Sequence, residues 1–243
     1  MKINVYPDKE ALTEAAATII LERMDAILEH GTSGSMSIAL AGGNTPKSVY
    51  SYLAASGFTN WSRVHLFWGD ERTVPPDHVE SNYRMVRQAL LDHVAIPESN
   101  IHRIYGEYKP ADAAQAYEKT LRSHFEQQIP AFDLVLLGMG DDGHTASLFP
   151  ATSALDKEKE FVSAVHVPKL QTWRITLTYP VLNNAKTVIF MVAGSSKARK
   201  IGLILRDGLK TKAYPASLVK PEHGELIWLL DADAARSLDT VNN

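Results

Sequence analysis

The residues best equipped for chemistry lie together between Phe132 and Pro150, in the run FDLVLLGMGDDGHTASLFP. The run opens on Leu134-Val135-Leu136-Leu137, whose length suits a strand buried on both faces. Gly138, Gly140 and Gly143 follow, set around Asp141 and Asp142 and just ahead of His144. A histidine beside carboxylates is a candidate general base or acid, because an ordinary imidazole titrates near neutrality. Thr145, Ala146, Ser147 and Leu148 could open a short helix. A buried strand breaking into a Gly-rich turn is where α/β folds place ligand sites. The same turn also matches G-x-G-x-x-G, the dinucleotide fingerprint. Its two intervening residues are acidic and would repel a pyrophosphate. The ribose-binding acid expected about 20 residues on is also poorly placed, because the next apolar run, Phe161 to Val167, ends in Pro168 and Lys169. No nicotinamide or flavin is expected.

Three further stretches have the chemistry of an anion site. Ala41-Gly42-Gly43-Asn44-Thr45-Pro46-Lys47-Ser48 joins a short apolar strand to a helix. Bare N–H groups at a helix start attract anions, and Asn44, Thr45 and Ser48 add donors. Gly42 and Gly43 would let a ligand approach the backbone. No Gly-Lys-Ser/Thr follows at Walker spacing. Gly69-Asp70-Glu71-Arg72 ends another apolar strand. Arg72 could grip a phosphate or an oxyanion, and Asp70 or Glu71 could position a hydroxyl or pair with Arg72. Gly194-Ser195-Ser196-Lys197 follows the apolar run Thr187 to Ala193. Ser195 or Ser196 can cap the next helix, and Lys197 in its first turn opposes the helix dipole, which suggests an anion nearby.

The elements that must carry these residues alternate along the chain. Residues 8 to 30 read as a helix with Leu12, Ala16, Ile20, Met24 and Ile27 on one face, stopped by Gly31. Strands are expected at Met36 to Leu40, Val64 to Trp68, Phe161 to Val167, Trp173 to Thr178 and Glu225 to Leu230. Helices are expected after Pro46, from Ser81 to about His93, over Ala111 to Gln128, after Gly194 to about Asp207, and from Asp231. Thr73 to Ser81 must be a loop. His78, His93 and His102 read as surface or loop histidines rather than ligands. No repeat or low-complexity linker divides residues 1–243. This pattern predicts one α/β domain with a mostly parallel, doubly wound, Rossmann-like sheet.

Composition narrows the function. With no cysteine among 243 residues, disulfides, thiolate catalysis and Cys-ligated zinc are excluded. The N-terminus lacks the apolar core of a signal peptide, and no apolar run approaches the roughly 18 residues of a membrane span. A cytoplasmic protein is expected. A net charge of −3 argues against nucleic acid.

Taken in order, these motifs, with Ser81-Asn82-Tyr83 and Arg174-Ile175-Thr176-Leu177-Thr178, closely resemble the 6-phosphogluconolactonases of the glucosamine-6-phosphate isomerase/6-phosphogluconolactonase family. The resemblance covers nearly the whole chain. It implies the Rossmann-like fold shared with sugar-phosphate isomerases. It also implies hydrolysis of 6-phospho-D-glucono-1,5-lactone to 6-phosphogluconate in the pentose phosphate pathway, without cofactor or metal. Under it His144 is the base and Asp142, or less readily Asp141, orients it. Gly42, Gly43, Asn44, Thr45, Ser48, Arg174, Ser195 and Lys197 hold the phosphosugar, Arg72 serves phosphate or oxyanion, and Asp70 positions substrate hydroxyls or Arg72. Asp141, Asp142 and His144 could still take a metal adventitiously. The expected partner is the phosphosugar lactone, not a membrane or nucleic acid, with the chain a monomer or weak homo-oligomer. A related deaminase or isomerase is the nearest alternative. The deaminases follow the Asp-Gly-His turn with Asn-Glu-Pro, whose glutamate serves ring opening. Leu148-Phe149-Pro150 stands here instead. A non-catalytic sugar-phosphate sensor is the other alternative.

Overall fold

The computed structural model describes residues 1–30 and 34–238. The chain opens with β1 (Lys2–Tyr6), a strand not expected from the sequence. Asp8 then starts α1 (Lys9–His30), its carboxylate accepting the Ala11 N–H at 2.8 Å. This helix buries Leu12, Ala16, Ile20 and Met24 at helical spacing. Gly31, its expected stop, lies outside the described residues.

The next elements are β2 (Met36–Leu40), α2 (Asn44–Ala55), β3 (Val64–Trp68), β4 (Asp70–Arg72), α3 (Asn82–Ala89), β5 (Ile101–His102), α4 (Pro110–His124) and β6 (Leu134–Leu137). Pro46 falls in the first turn of α2, as expected. α3 stops short of His93, which sits in a separate 3₁₀ turn. α4 ends at His124 rather than Gln128, because Glu126 and Gln127 take positive φ angles of 49° and 66°. His102 is not a surface or loop residue. It lies half-buried on β5. The chain continues through β7 (Val162–Val167), β8 (Thr172–Leu177), α5 (Tyr179–Leu182), β9 (Thr187–Val192), α6 (Ala198–Ile201), β10 (Glu225–Asp231) and α7 (Ala232–Ala235).

Seven strands form one parallel sheet in the order β1-β10-β9-β6-β2-β3-β5. Its middle strands β2, β6 and β9 are buried along their whole length, as strands covered on both faces must be. The architecture is α/β and Rossmann-like, a mostly parallel sheet flanked by helices. The chain leaves β2 toward β3 and β5 on one side, while β6, β9 and β10 extend on the other. The order therefore reverses between β2 and β6. Connections diverge there, and a crevice opens at the carboxyl ends of the strands.

A second, antiparallel sheet, β4-β8-β7, was not expected. Gly69 makes the handover. Its N–H bonds the Leu40 carbonyl at 2.8 Å, and its own carbonyl accepts the Leu177 N–H at 2.9 Å. The backbone thus leaves the parallel sheet and enters the other within one residue. This places Asp70 and Arg72 at the mouth of the crevice. One continuous apolar cluster runs beneath both sheets. Two buried tyrosines brace the strand ends that carry the crevice: the Tyr50 hydroxyl bonds the backbone of Ala41, and the Tyr117 hydroxyl bonds that of Trp68.

Candidate active site

The turn after β6 holds His144 from three sides. Asp142 Oδ1 stands 2.5 Å from His144 Nδ1 and accepts the backbone N–H of His144 at 3.2 Å. The Phe149 ring stacks on the imidazole, with centroids 4.0 Å apart at 23°. Gly140 lies under the ring: a Cβ there would fall 2.1 Å from His144 Cε1, so a larger residue would displace the imidazole. The hydrogen bond from His144 holds the Asp142 carboxyl well below the usual carboxylate range, against the opposing effect of burial. An ionised carboxylate only accepts, so Nδ1 carries a proton, and in the neutral ring Nε2 is the nitrogen left with the lone pair. Asp142 Oδ2 takes Lys169 Nζ at 3.3 Å.

Thr145 to Leu148 form a tight turn, not the opening of a helix, and Ala146 adopts φ 46°. Side chains hold that geometry in place of helical bonds. Thr145 Oγ1 donates to the Gly138 carbonyl at 2.8 Å, and Ser147 Oγ donates to Asp70 Oδ2 at 2.6 Å. Asp70 is buried and also accepts from Asn82 Nδ2 at 3.3 Å. The antiparallel sheet is thereby tied to the histidine turn.

Two cavities meet at His144. The larger, about 460 Å³, is lined by Gly42 to Pro46, Gly138 to Gly140, Gly194, Lys197 and Lys9. The smaller, about 300 Å³, is lined by Asp142, Phe149, Lys169 and Arg174. Asp70, Arg72, His144 and Ala146 line both. The start of α2 opens into the larger lobe. Gly43 is its N-cap at φ 102°, a conformation side-chain-bearing residues rarely adopt, and no side chain caps the helix. That end is an anion-binding geometry.

Arg72 and Arg174 are direct cross-strand partners on β4 and β8. Like charges in that register repel each other. Burial, and then the charge of Arg72, push the Arg174 guanidinium below its usual range. Arg72 donates to the Glu80 carbonyl at 2.7 Å, while its buried Nε has no hydrogen-bond partner among the described residues. Two guanidiniums crowded beside a cavity could receive an anion.

Several expectations need correction. Glu71 lines neither cavity and makes no ion pair with the Arg72 guanidinium among the described residues. It is buried, and it accepts the N–H groups of Arg72, Asn82 and Tyr83, each at 2.8 Å, and the Ser81 hydroxyl. It anchors the start of α3, and burial still leaves its carboxyl above the usual range. Gly42 lines the larger lobe, and its missing Cβ also leaves room for the Asn82 side chain, whose Oδ1 would lie 2.1 Å from a Cβ at position 42. Ser48 is not on the cavity wall, and its hydroxyl bonds the Asn44 carbonyl within α2. Ser195 is exposed, lines neither lobe and caps nothing. Ser196 caps nothing either; its hydroxyl donates to Asp141 at 2.8 Å. The anion facing Lys197 is the Asp141 carboxylate, at 2.5 Å. Asp141 makes no hydrogen bond to His144 among the described residues. Among the described residues, Asp141, Asp142 and His144 do not converge as a metal-ligand group.

Lys9, Lys169, Ser147, Asn82 and Asp231 were missed as site residues. Asp231 shapes the Gly194 turn by accepting its N–H at 2.9 and 3.0 Å. Ser147 and Asn82 sat inside motifs already singled out, and the buried partner Asp70 was the available signal. Lys9 carries no local signal, because the pairing of β1 with β10 is what brings it to the cavity.

Known proteins are similar to this chain over nearly its whole length. A family profile described as "Glucosamine-6-phosphate isomerases/6-phosphogluconolactonase" matches residues 7–228. A 6-phosphogluconolactonase of Synechocystis sp. is 44% identical over 242 residues, covering 98% of this chain and 98% of the relative. The human 6-phosphogluconolactonase is 39% identical over 242 residues, covering 97% of this chain and 93% of that one. The solved 6-phosphogluconolactonase of Trypanosoma cruzi superposes with a TM-score of 0.87 at 33% identity, covering 98% of this chain and 97% of that chain.

Proposed function

The chain belongs to the glucosamine-6-phosphate isomerase/6-phosphogluconolactonase family, and from that premise we propose that it hydrolyses 6-phospho-D-glucono-1,5-lactone to 6-phosphogluconate, the lactonase step of the pentose phosphate pathway. The observation that carries the site assignment is the Asp142–His144 pair, whose free Nε2 belongs to the side chain standing where the two cavities join. His144 Nε2 takes a proton from water as the oxygen attacks the lactone carbonyl carbon. Asp142 holds the tautomer and stabilises the imidazolium that forms. Arg72, whose side chain lines both lobes, stabilises the developing oxyanion. The C1–ring-oxygen bond then breaks, and the imidazolium returns its proton to the leaving ring oxygen. The product is the hydroxy acid, whose carboxylic acid then gives its remaining proton to solvent to leave the carboxylate.

The phosphate sits at the uncapped start of α2, over Gly43, Asn44 and Thr45, with Lys197 exchanging its Asp141 contact for the ligand. Arg174 supplies charge from the second lobe, and Asp70 orients substrate hydroxyls through its bond to Ser147. No step calls for a metal or cofactor. The chain acts as a single unit over residues 1–243, as a cytoplasmic monomer or weak homo-oligomer, on a free phosphosugar rather than nucleic acid. No helix among the described residues is long and apolar enough to cross a membrane. An apolar ring, Phe149, covers His144 where ring-opening chemistry would want a second proton carrier, which favours hydrolysis over isomerisation.

The test is consumption of freshly generated lactone, corrected for its spontaneous hydrolysis, with EDTA present and the His144→Ala protein alongside. Fast turnover by the wild type that falls by roughly 10²- to 10⁴-fold in the variant is expected. No acceleration by the wild type would overturn the lactonase reading, and equal rates in both would remove His144 from its centre.

A further inference from the structure

Three histidines outside the cleft come together at the edge of the parallel sheet. His65 lies on β3, His102 on the two-residue edge strand β5, and His124 at the last position of α4. One ring nitrogen of each lies within 4.8 Å of those of the other two. The rings are half-buried, with centroids 5.4 Å apart for His65 and His102, 4.7 Å for His65 and His124, and 5.3 Å for His102 and His124. His65 Nδ1 stands 3.1 Å from His102 Nε2. That distance is close to the roughly 3.3 Å separating two imidazole nitrogens on a tetrahedral zinc with bonds of about 2.05 Å. His124 makes ring contacts with both others but a hydrogen bond with neither among the described residues. Phe67 stacks on His102, and Phe67 and Phe125 pack edge-on against His124, so an apolar wall backs the cluster.

We propose that His65, His102 and His124 form a binding site for a zinc-class divalent cation, with water in the fourth position. Three neutral imidazoles with one open position are a donor set suited to zinc, and to copper or nickel in the same class. Burial lowers all three groups, and His102 is pushed down to about 4 by burial and then by its two neighbours. Among the described residues, the acidic group acting on the cluster is Asp133, which raises His124 and is itself held by Lys186 and Ser37. The bound cation would tie β5 and the end of α4 to β3. A two-residue strand at a sheet edge has little pairing of its own, so it gains most from such a tie.

The proposal is tested on the tag-free, EDTA-treated full chain by titrating zinc chloride against a chromogenic chelator, and by the visible absorption of added cobalt. Wild type should bind one equivalent with a tetrahedral cobalt spectrum, and zinc should slow amide exchange in β5. His144→Ala should bind equally well. His102→Ala and, independently, His124→Gln should weaken binding at least tenfold while keeping the wild-type far-UV spectrum. No binding by wild type, or binding lost in His144→Ala and retained in both other variants, would overturn the site.

Discussion

The Asp142→Asn substitution separates a catalytic role for the Asp142–His144 pair from a structural one. In the wild type, Asp142 Oδ1 serves both His144 Nδ1 and the His144 backbone N–H, while Oδ2 faces the Lys169 ammonium at 3.3 Å. An amide must choose. With its oxygen on the histidine, its NH₂ group points at Lys169, donor against cation. With the amide reversed, its oxygen takes Lys169 and its NH₂ donates to Nδ1. The second arrangement moves the ring proton to Nε2, the nitrogen that faces the cavity, and removes the free lone pair. Lys169 therefore biases the variant toward the unreactive tautomer. The expected loss in kcat is about 10²-fold or more, or ~2.7 kcal/mol of transition-state stabilisation, with KM within about threefold because no phosphate contact changes. The adding of Lys169→Met to Asp142→Asn should restore part of the rate, since the bias is then gone. Stability gives a second readout. The folded-state pKa of Asp142 is depressed, so its contribution is present above the unfolded value near 3.8 and is lost as pH falls below it. At pH 7 the variant should be less stable by roughly 1 kcal/mol after solvent screening, and the gap should close between pH 4 and pH 2. Steady-state kinetics and thermal melts across pH decide it. An Asp142→Asn protein with wild-type kcat would refute the tautomer argument.

Other substitutions probe the supports of the site. Gly140→Ala places a methyl group where the His144 ring lies, so kcat should fall at least about tenfold with little change in far-UV circular dichroism. Arg174→Met relieves the cross-strand repulsion with Arg72; the melting temperature should rise, by about 0.2–1 kcal/mol in stability, while KM for the lactone increases, and a fall in both would contradict the anion-site reading. Glu71→Ala leaves three backbone N–H groups around the start of α3 without their acceptor and opens a cavity, so urea denaturation should show a loss of about 2–4 kcal/mol. Lys197→Met should raise KM strongly with kcat nearly unchanged; a change confined to kcat would move Lys197 from phosphate binding into the chemistry.

What could be read from the sequence follows from the range of the forces involved. The central strands announce themselves because a strand buried on both faces must be apolar throughout, as in Leu134 to Leu137 and Thr187 to Val192. The Asp142–His144 pair was legible because its partners are two residues apart. β1 was missed because it is an edge strand whose alternating Lys2 to Tyr6 pattern buries little. The antiparallel sheet was missed because it depends on Gly69 bonding Leu40 and Leu177 at once, a junction of three segments distant in sequence. The consequence for function is concrete. The motif Asp70-Glu71-Arg72 reads as one polar cluster, yet a strand alternates its side chains, so its members part company. Glu71 points to the buried start of α3, and Asp70 and Arg72 reach the cavity wall. Once β4 is known to be a strand paired with β8, the opposition of Arg72 to Arg174 follows from register alone. That opposition is unfavourable in the free protein, and an anion held beside the two guanidiniums, as proposed for the phosphosugar, would relieve it.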